Sequence, residues 1–180
     1  PLIARAVQLG FADFLVETVD SAVAFELVQP LGFSARFAKA LATPPPALGL
    51  TTGTQLVTWK AIVNVAGRPI TTTTLASQQG VSREHLSRTF VHGDKGAPNL
   101  KRIIDLVRLL AAAELCKNPG YDIRDVADVL GFATPSHFAV TAHRIASTRP
   151  PSLASLRTVD LVERFLQGRT RSRKGRGAEP

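Results

Sequence analysis

The stretches TLASQQGVSREHLSRTF (residues 74–90) and DVADVLGFATPSHFAVTAHR (residues 125–144) share one pattern, and this pattern decides the fold. In each stretch an alanine precedes a glycine by four positions, and the two copies are offset by 51 residues: Ala76 and Gly80, then Ala127 and Gly131. A short polar stretch and a second helical periodicity follow each glycine. The pattern is typical of a helix-turn-helix, which presents its second helix to the DNA major groove.

Each repeated residue type suits a tight turn between two helices. The first helix of such a unit crosses the second at short distance, so an alanine fits where a larger side chain would push the helices apart. Glycine adopts the positive φ of the turn without steric penalty. Val81 and Phe132 follow the glycines as apolar turn residues. The sequence therefore predicts helix-turn-helix units over residues 73–91 and 122–146.

Between the two units the spacing of apolar residues predicts a long linker helix over residues 98–118. Its apolar positions recur at helical intervals and predict one continuous stripe: Leu100, Ile103, Ile104, Val107, Leu110 and Ala111. No stretch after residue 52 has the alternation of a strand. The predicted fold class is mainly α, with two helix-turn-helix units joined by the linker helix.

Composition divides the chain into four parts. Residues 1–43 form a small N-terminal fragment, either α/β-like or helical. The proline-rich stretch 44–52 predicts a stiff linker. Residues 53–157 contain both units and form the DNA-binding domain, and residues 158–180 form a basic tail. In that tail we expect a short amphipathic piece, Val159–Leu166, followed by disorder.

The positive charge lies mainly in the region of the repeated pattern. The chain carries +8 overall, with a net −1 in residues 1–50, +6 in residues 51–157 and +3 in residues 158–180. A basic domain suits a polyanionic partner, because each neutralised phosphate releases counterions. Charge alone also fits an ordinary solvated surface.

Cysteine and apolar content bear on location. The single cysteine, Cys116, excludes an intrachain disulfide, and its apolar neighbours predict a buried thiol. No apolar run approaches the roughly 18 residues of a transmembrane helix, and no signal peptide is recognisable. These features predict a cytoplasmic protein that does not contact a membrane. The sequence contains no methionine, so we expect it to begin inside a longer reading frame or to have lost its initiator.

The predicted DNA contacts differ between the units. In the first unit the second helix directs a polar set outward: Ser82, Arg83, Glu84, Ser87 and Arg88. Arg88 is the best base reader, since its guanidinium matches a guanine edge. The second unit has a poorer outward set: Thr134, Pro135, Ser136, Val140, His143 and Arg144. We therefore expect the first unit to supply most of the sequence discrimination.

Residues 53–157 resemble the DNA-binding domain of the AraC/XylS family of transcription regulators. Four stretches in this order carry the resemblance: LASQQGVSREHLSRTF, APNLKRIIDLVRL, DIRDVADVLGFATPSHF and RPPSLASLR. The resemblance implies an all-helical domain that binds two successive major-groove segments on one face of DNA. It also implies base-facing places for seven residues: Glu84, Ser87, Arg88, Thr134, Pro135, Ser136 and Val140.

The chain departs from that family at three places. The family often has Arg where Val140 stands, Phe where Ala142 stands and Gly where Ser147 stands. The missing Arg weakens the expected readout by the second unit. Upstream, RAVQLGFADFLVETVD (residues 5–20) resembles the last third of a response-regulator receiver domain, with Glu17 where a Lys is usual. A generic helical sensor or dimerisation segment is the alternative for this region.

Other function classes have weaker support. The chain lacks a Gly-x-Ser-x-Gly elbow and a phosphate-binding loop, and its histidines lack metal-ligand spacing, so we expect no enzyme, metal or cofactor. The rival hypothesis is a helix-turn-helix-derived protein-interaction module that has lost specific DNA binding. Double-stranded DNA is the main predicted partner. RNA polymerase and a second copy of the chain, pairing through the N-terminal region, are further candidates.

Overall fold

The computed structural model describes residues 33–65, 67–91 and 98–174. Over these ranges the protein is mainly α-helical and contains no β-strand, which confirms the predicted class. The expectations for the receiver-like segment lie outside the described residues, as do those for residues 175–180.

The described helices follow one another along the chain as α1 (33–40), α2 (Gly53–Asn64), α3 (Thr72–Gln78), α4 (Arg83–Val91), α5 (Leu100–Leu115), α6 (Ile123–Val129), α7 (Pro135–Ala146) and α8 (Thr158–Lys174). Short 3-10 helices at Pro46–Leu48 and Pro150–Ser155 lie between α1 and α2 and between α7 and α8. None of these described helices is both long and apolar enough to cross a bilayer.

Side-chain caps fix where several helices begin. Before α2, Thr52 Oγ1 accepts a hydrogen bond from the Gln55 backbone N–H (3.3 Å), and Gln55 Oε1 accepts one from the Thr52 N–H (3.1 Å). Asp122 and Asp125 exchange the same pair of bonds before α6. The bond from the Asp125 N–H, above all, lowers the pKa of the Asp122 carboxyl. Asp122 therefore caps α6.

Helix α5 is the central element of the fold. All six residues of the predicted stripe are buried, but so are Asp105, Leu106 and Leu109 on other sides of the helix. The helix contacts α2, α6, α7, α8 and the 3-10 helix Pro150–Ser155. A helix covered by neighbours on most sides is buried nearly all round instead of along one stripe. It begins after Asn99, whose side chain accepts a hydrogen bond from the Arg102 N–H (3.0 Å).

The stretch 44–52 packs into the helical core, in contrast to the expected linker. Leu48 and Leu50 are 1% and 7% exposed. Gly49 has a left-handed φ of 64°, which turns the chain between them. The indole Nε1 of Trp59 donates a hydrogen bond to the Leu41 carbonyl oxygen (2.7 Å) and so attaches α2 to the end of α1. Apolar side chains on both sides of the turn explain why this proline-rich stretch is anchored.

The start of the predicted basic tail is a long helix. Helix α8 continues to Lys174, well past the expected amphipathic piece. Leu161, Val162 and Phe165 are buried, and the helix packs mainly on α7. At its start Asp160 accepts a hydrogen bond from the Arg157 backbone N–H (2.9 Å). The expectation of disorder after residue 166 is therefore wrong for the part of α8 that the structure describes.

Candidate functional site

The helix pairs α3–α4 and α6–α7 contain turns of the same backbone geometry. Gly80 has a φ of 64° and Gly131 a φ of 63°, as the repeated pattern predicted. Only glycine takes this conformation without a steric penalty. Their surroundings differ, because a Cβ on Gly80 would meet nothing within 4 Å, whereas one on Gly131 would lie 2.4 Å from Pro69 Cγ.

The same hydrogen bond closes both turns. The Val81 N–H donates to the Ala76 carbonyl (3.1 Å), and the Phe132 N–H donates to the Ala127 carbonyl (2.8 Å). Both alanines are buried, at 2% and 0% exposure. The repeated sequence pattern thus has a matching repeat in backbone bonding.

Helix α2 holds the first pair in place through two polar contacts. The buried Gln55 Nε2 donates to the Thr89 carbonyl in α4 (3.0 Å). Thr58 and Gln79 are hydrogen-bonded through their side chains at the end of α3 (3.0 Å). Because both helices of the pair are hydrogen-bonded to α2, α2 fixes their relative orientation.

Arg108 of α5 holds the second pair in a comparable way. Its Nη2 donates to the Leu130 carbonyl at the end of α6 (2.9 Å), and its guanidinium lies 3.9 Å from the centre of the Phe132 ring. Burial lowers the pKa of Arg108, while the charge of Asp105 opposes this shift. Arg108, which is not part of the predicted apolar stripe, is thus a structural cation.

Two predicted contact residues also cap helices. Ser82 Oγ accepts a hydrogen bond from the His85 N–H (3.1 Å) at the start of α4. Thr134 Oγ1 accepts one from the His137 N–H (3.0 Å) at the start of α7. Each hydroxyl keeps its own O–H as a donor. Both side chains are exposed, so a cap and a contact to a ligand are compatible.

The outer face of α4 has the predicted polar composition. Arg83, Glu84 and Arg88 are exposed and Ser87 is half-buried. Leu86 and Phe90 are both fully buried. The structure therefore separates a polar outer face of this helix from a buried apolar face.

The outer face of α7 is less polar. Pro135, Ser136 and His143 are exposed, and the apolar side chain of Val140 is 64% exposed. Phe138 on the opposite side is fully buried. This face can offer hydrogen bonds only near its two ends.

Residues of both pairs line one cleft of about 330 Å³ beside α5. Arg83 and Ser87 come from the first pair and Arg144 from the second. The rest of the lining comes from the start of α3 and from the residues around the first turn of α5: Thr72, Asn99, Leu100, Lys101, Arg102 and Asp105. The sequence assigned Arg83 and Ser87 to the first unit and Arg144 to the second, and the structure brings all three together.

The cleft contains four basic side chains and one carboxylate. Arg144 Nη2 donates to Asp105 Oδ2 (2.9 Å), and the Asp105 side chain is only 10% exposed. Arg102 Nη2 donates to the Phe165 carbonyl oxygen (3.0 Å), and the Arg102 guanidinium lies 4.8 Å from the centre of the Phe165 ring. Lys101 is exposed. Positive charge thus exceeds negative charge in this cleft.

Sequence reasoning did not include Lys101, Arg102 and Asp105 in the site. Their only signal was their position outside the apolar stripe of the predicted linker helix. That signal predicts solvent exposure, which holds for Lys101 but not for the buried Asp105, and it does not show which other elements lie nearby. In the described part of the chain, no three His, Cys, Asp or Glu side chains are grouped as metal ligands.

Comparison with known proteins gives no relative. No family model matches the sequence, and no curated protein or solved structure gives a significant match.

Proposed function

We propose that this chain is a sequence-specific DNA-binding transcriptional regulator of the AraC/XylS type. In this proposal the pairs α3–α4 and α6–α7 are helix-turn-helix units that read two adjacent major-groove segments. The observation that carries it is the matched pair of turns. The helices that follow these turns, α4 and α7, both border one basic cleft. A polyanion that follows both helices would pass over that cleft.

The proposal gives the two helices unequal roles. On α4, Arg88 pairs with a base edge, Arg83 and Ser82 contact phosphate, and Glu84 and Ser87 complete the reading face. On α7, Val140 can touch only a thymine methyl group. Thr134, Ser136 and His143 contribute near the helix ends. Discrimination between sites comes mainly from α4.

A protein-interaction module that has lost specific DNA binding is the second candidate. The exposure of Val140 favours it, because an apolar side chain in the middle of an exposed helix face suits a protein surface. The basic cleft beside α4 favours DNA. We propose RNA polymerase and a second copy of the chain, through the N-terminal region, as further partners of a cytoplasmic regulator.

Selection from a random double-stranded DNA pool tests the proposal. We expect one enriched sequence with two half-sites about one helical turn apart. On that sequence, five phosphate contacts would give a log–log salt slope of about −4 to −5. Absence of binding to any pool, or a slope near zero, would assign the chain to the protein-interaction class.

A further inference from the structure

The basic cleft between the helix pairs is a site that neither reading helix forms alone. Arg83 comes from α4, Lys101 and Arg102 from α5, and Arg144 from α7. Asp105 supplies the single negative charge in the lining. Like charges that converge in a cleft focus a positive potential, which attracts and holds an anion.

Two of these cations have fixed positions. The contact with Asp105 sets the direction of the Arg144 side chain, which remains 53% exposed. A guanidinium has five N–H donors, so Arg144 can hold Asp105 and still donate to a second group. The contact with Phe165 sets the direction of Arg102 in the same way. The cleft is thus preorganised on one side.

The other two cations are available for a ligand. Arg83 and Lys101 are exposed, and neither forms an ion pair with a described residue. Their ammonium and guanidinium groups suit a phosphate oxygen. An anion at this place would therefore meet two cations without an ion pair as well as two positioned ones.

The position of the cleft indicates the source of the phosphate. Its walls include the first turn of α4 and the last turn of α7, the two helices proposed to enter adjacent major-groove segments. The sugar–phosphate backbone that separates those segments must cross the surface between the helices. A backbone phosphate at that crossing would therefore lie near the cleft.

We propose that this cleft binds one DNA backbone phosphate between the two major-groove segments, with Lys101 and Arg83 as its direct contacts. Arg144 is a further donor whose direction Asp105 sets. This inference rests on the proposed function and adds to it a contact from α5, outside both reading helices. The contact fixes register and carries no base information.

The test compares Lys101→Gln with Lys39→Gln on the selected DNA. Both lysines are exposed on helices, both changes remove one charge, and Lys39 does not line the cleft. We expect Lys101→Gln to reduce the salt slope by about 0.9 and to weaken binding about fivefold at 0.15 M salt, equally for every base sequence. Lys39→Gln should leave slope and affinity unchanged.

Phosphate-ethylation interference locates the contact. In the wild type, ethylation of a phosphate between the two half-sites should inhibit binding, and Lys101→Gln should lose sensitivity at that phosphate alone. If the wild type binds DNA specifically while both lysine variants keep its slope and footprint, the inference is overturned and the proposed function stands. If the wild type binds no DNA, the proposed function fails and this inference fails with it.

A free anion is distinguished by thermal unfolding without DNA. A rise in Tm of the wild type in about 10 mM inorganic phosphate, absent in Lys101→Gln, would reveal a small-anion site. That result, together with an unchanged DNA slope, would assign the cleft to a free phosphate and overturn the backbone contact.

Discussion

Gly80 and Gly131 have the same backbone conformation but different neighbours, so they should respond differently to substitution. Gly80→Ala should cost about 1–2 kcal/mol of unfolding free energy, the penalty of a left-handed alanine. Gly131→Ala carries the same penalty plus contact with Pro69, where the added Cβ would lie 2.4 Å from Cγ. We expect a further loss of about 1–3 kcal/mol there. Urea unfolding of the two variants measures the difference, and equal losses would contradict it.

Arg88 and Val140 allow a comparison of the two helices that we propose to read DNA. Arg88→Ala should relax preference at one base position at a cost of about 1–3 kcal/mol. Val140→Ala, from the exposed face of α7, should change affinity little because it removes no hydrogen bond. Competition binding with singly substituted DNA sites measures both. Equal weakening on all sites would make Arg88 a phosphate contact, and a large loss at Val140 would raise the role of the second helix.

At the scale of elements, local signals were predicted well. The positive φ of Gly80 and Gly131 depends on bonds within about five residues, so the sequence contains this signal. The predicted linker helix 98–118 is longer than α5 (Leu100–Leu115) at both ends, and Asn99 caps its start by accepting a hydrogen bond from the Arg102 N–H.

Features that depend on distant contacts were not predicted. Helix α8 looked like a charged tail, because the burial of Phe165 depends on its packing beside α5 and α7. The same holds for the cleft. Sequence assigned Arg83 and Arg144 to separate units. Only the tertiary packing, in which α2 contacts both α4 and α5 and α7 contacts α5, brings them beside Lys101. Of the cleft residues, the sequence thus identified Arg83, Ser87 and Arg144, but not the α5 residues that complete the cleft or its assembly.

The stability contributed by the Arg157–Asp160 contact at the start of α8 should decrease in acid. Hydrogen bonds from Arg157 lower the pKa of Asp160 from 3.8 to about 2. A carboxyl whose pKa is lower in the folded state than in the unfolded state stabilises the fold at pH values above its pKa in the unfolded state. This contribution should be lost as pH falls from about 3.8 to about 2. The Tm of Asp160→Asn should therefore lie below that of the wild type at pH 5, and the gap should narrow toward pH 2.5. A gap independent of pH would contradict this role.

At the scale of the whole molecule, the described residues form one core from α1 to α8. Buried side chains before α2 and within α8 belong to the same cluster as those of α5. The 3-10 helix Pro46–Leu48 contacts α8, so distant parts of the sequence meet beside the predicted linker. A domain that began at residue 53 would lack this part of its core.

Leu48 tests whether the proline-rich stretch is part of the fold or a spacer. It is 1% exposed, so Leu48→Ala should lower the free energy of unfolding by about 2–5 kcal/mol. Val57, 55% exposed on α2, provides the control, because Val57→Ala removes apolar volume without opening a cavity. The only tryptophan, Trp59, is bonded to Leu41 and reports on this region by fluorescence. In both variants we expect fluorescence and circular dichroism to give superimposable unfolding curves, since one core unfolds as a unit. A spacer would instead leave Leu48→Ala as stable as the control.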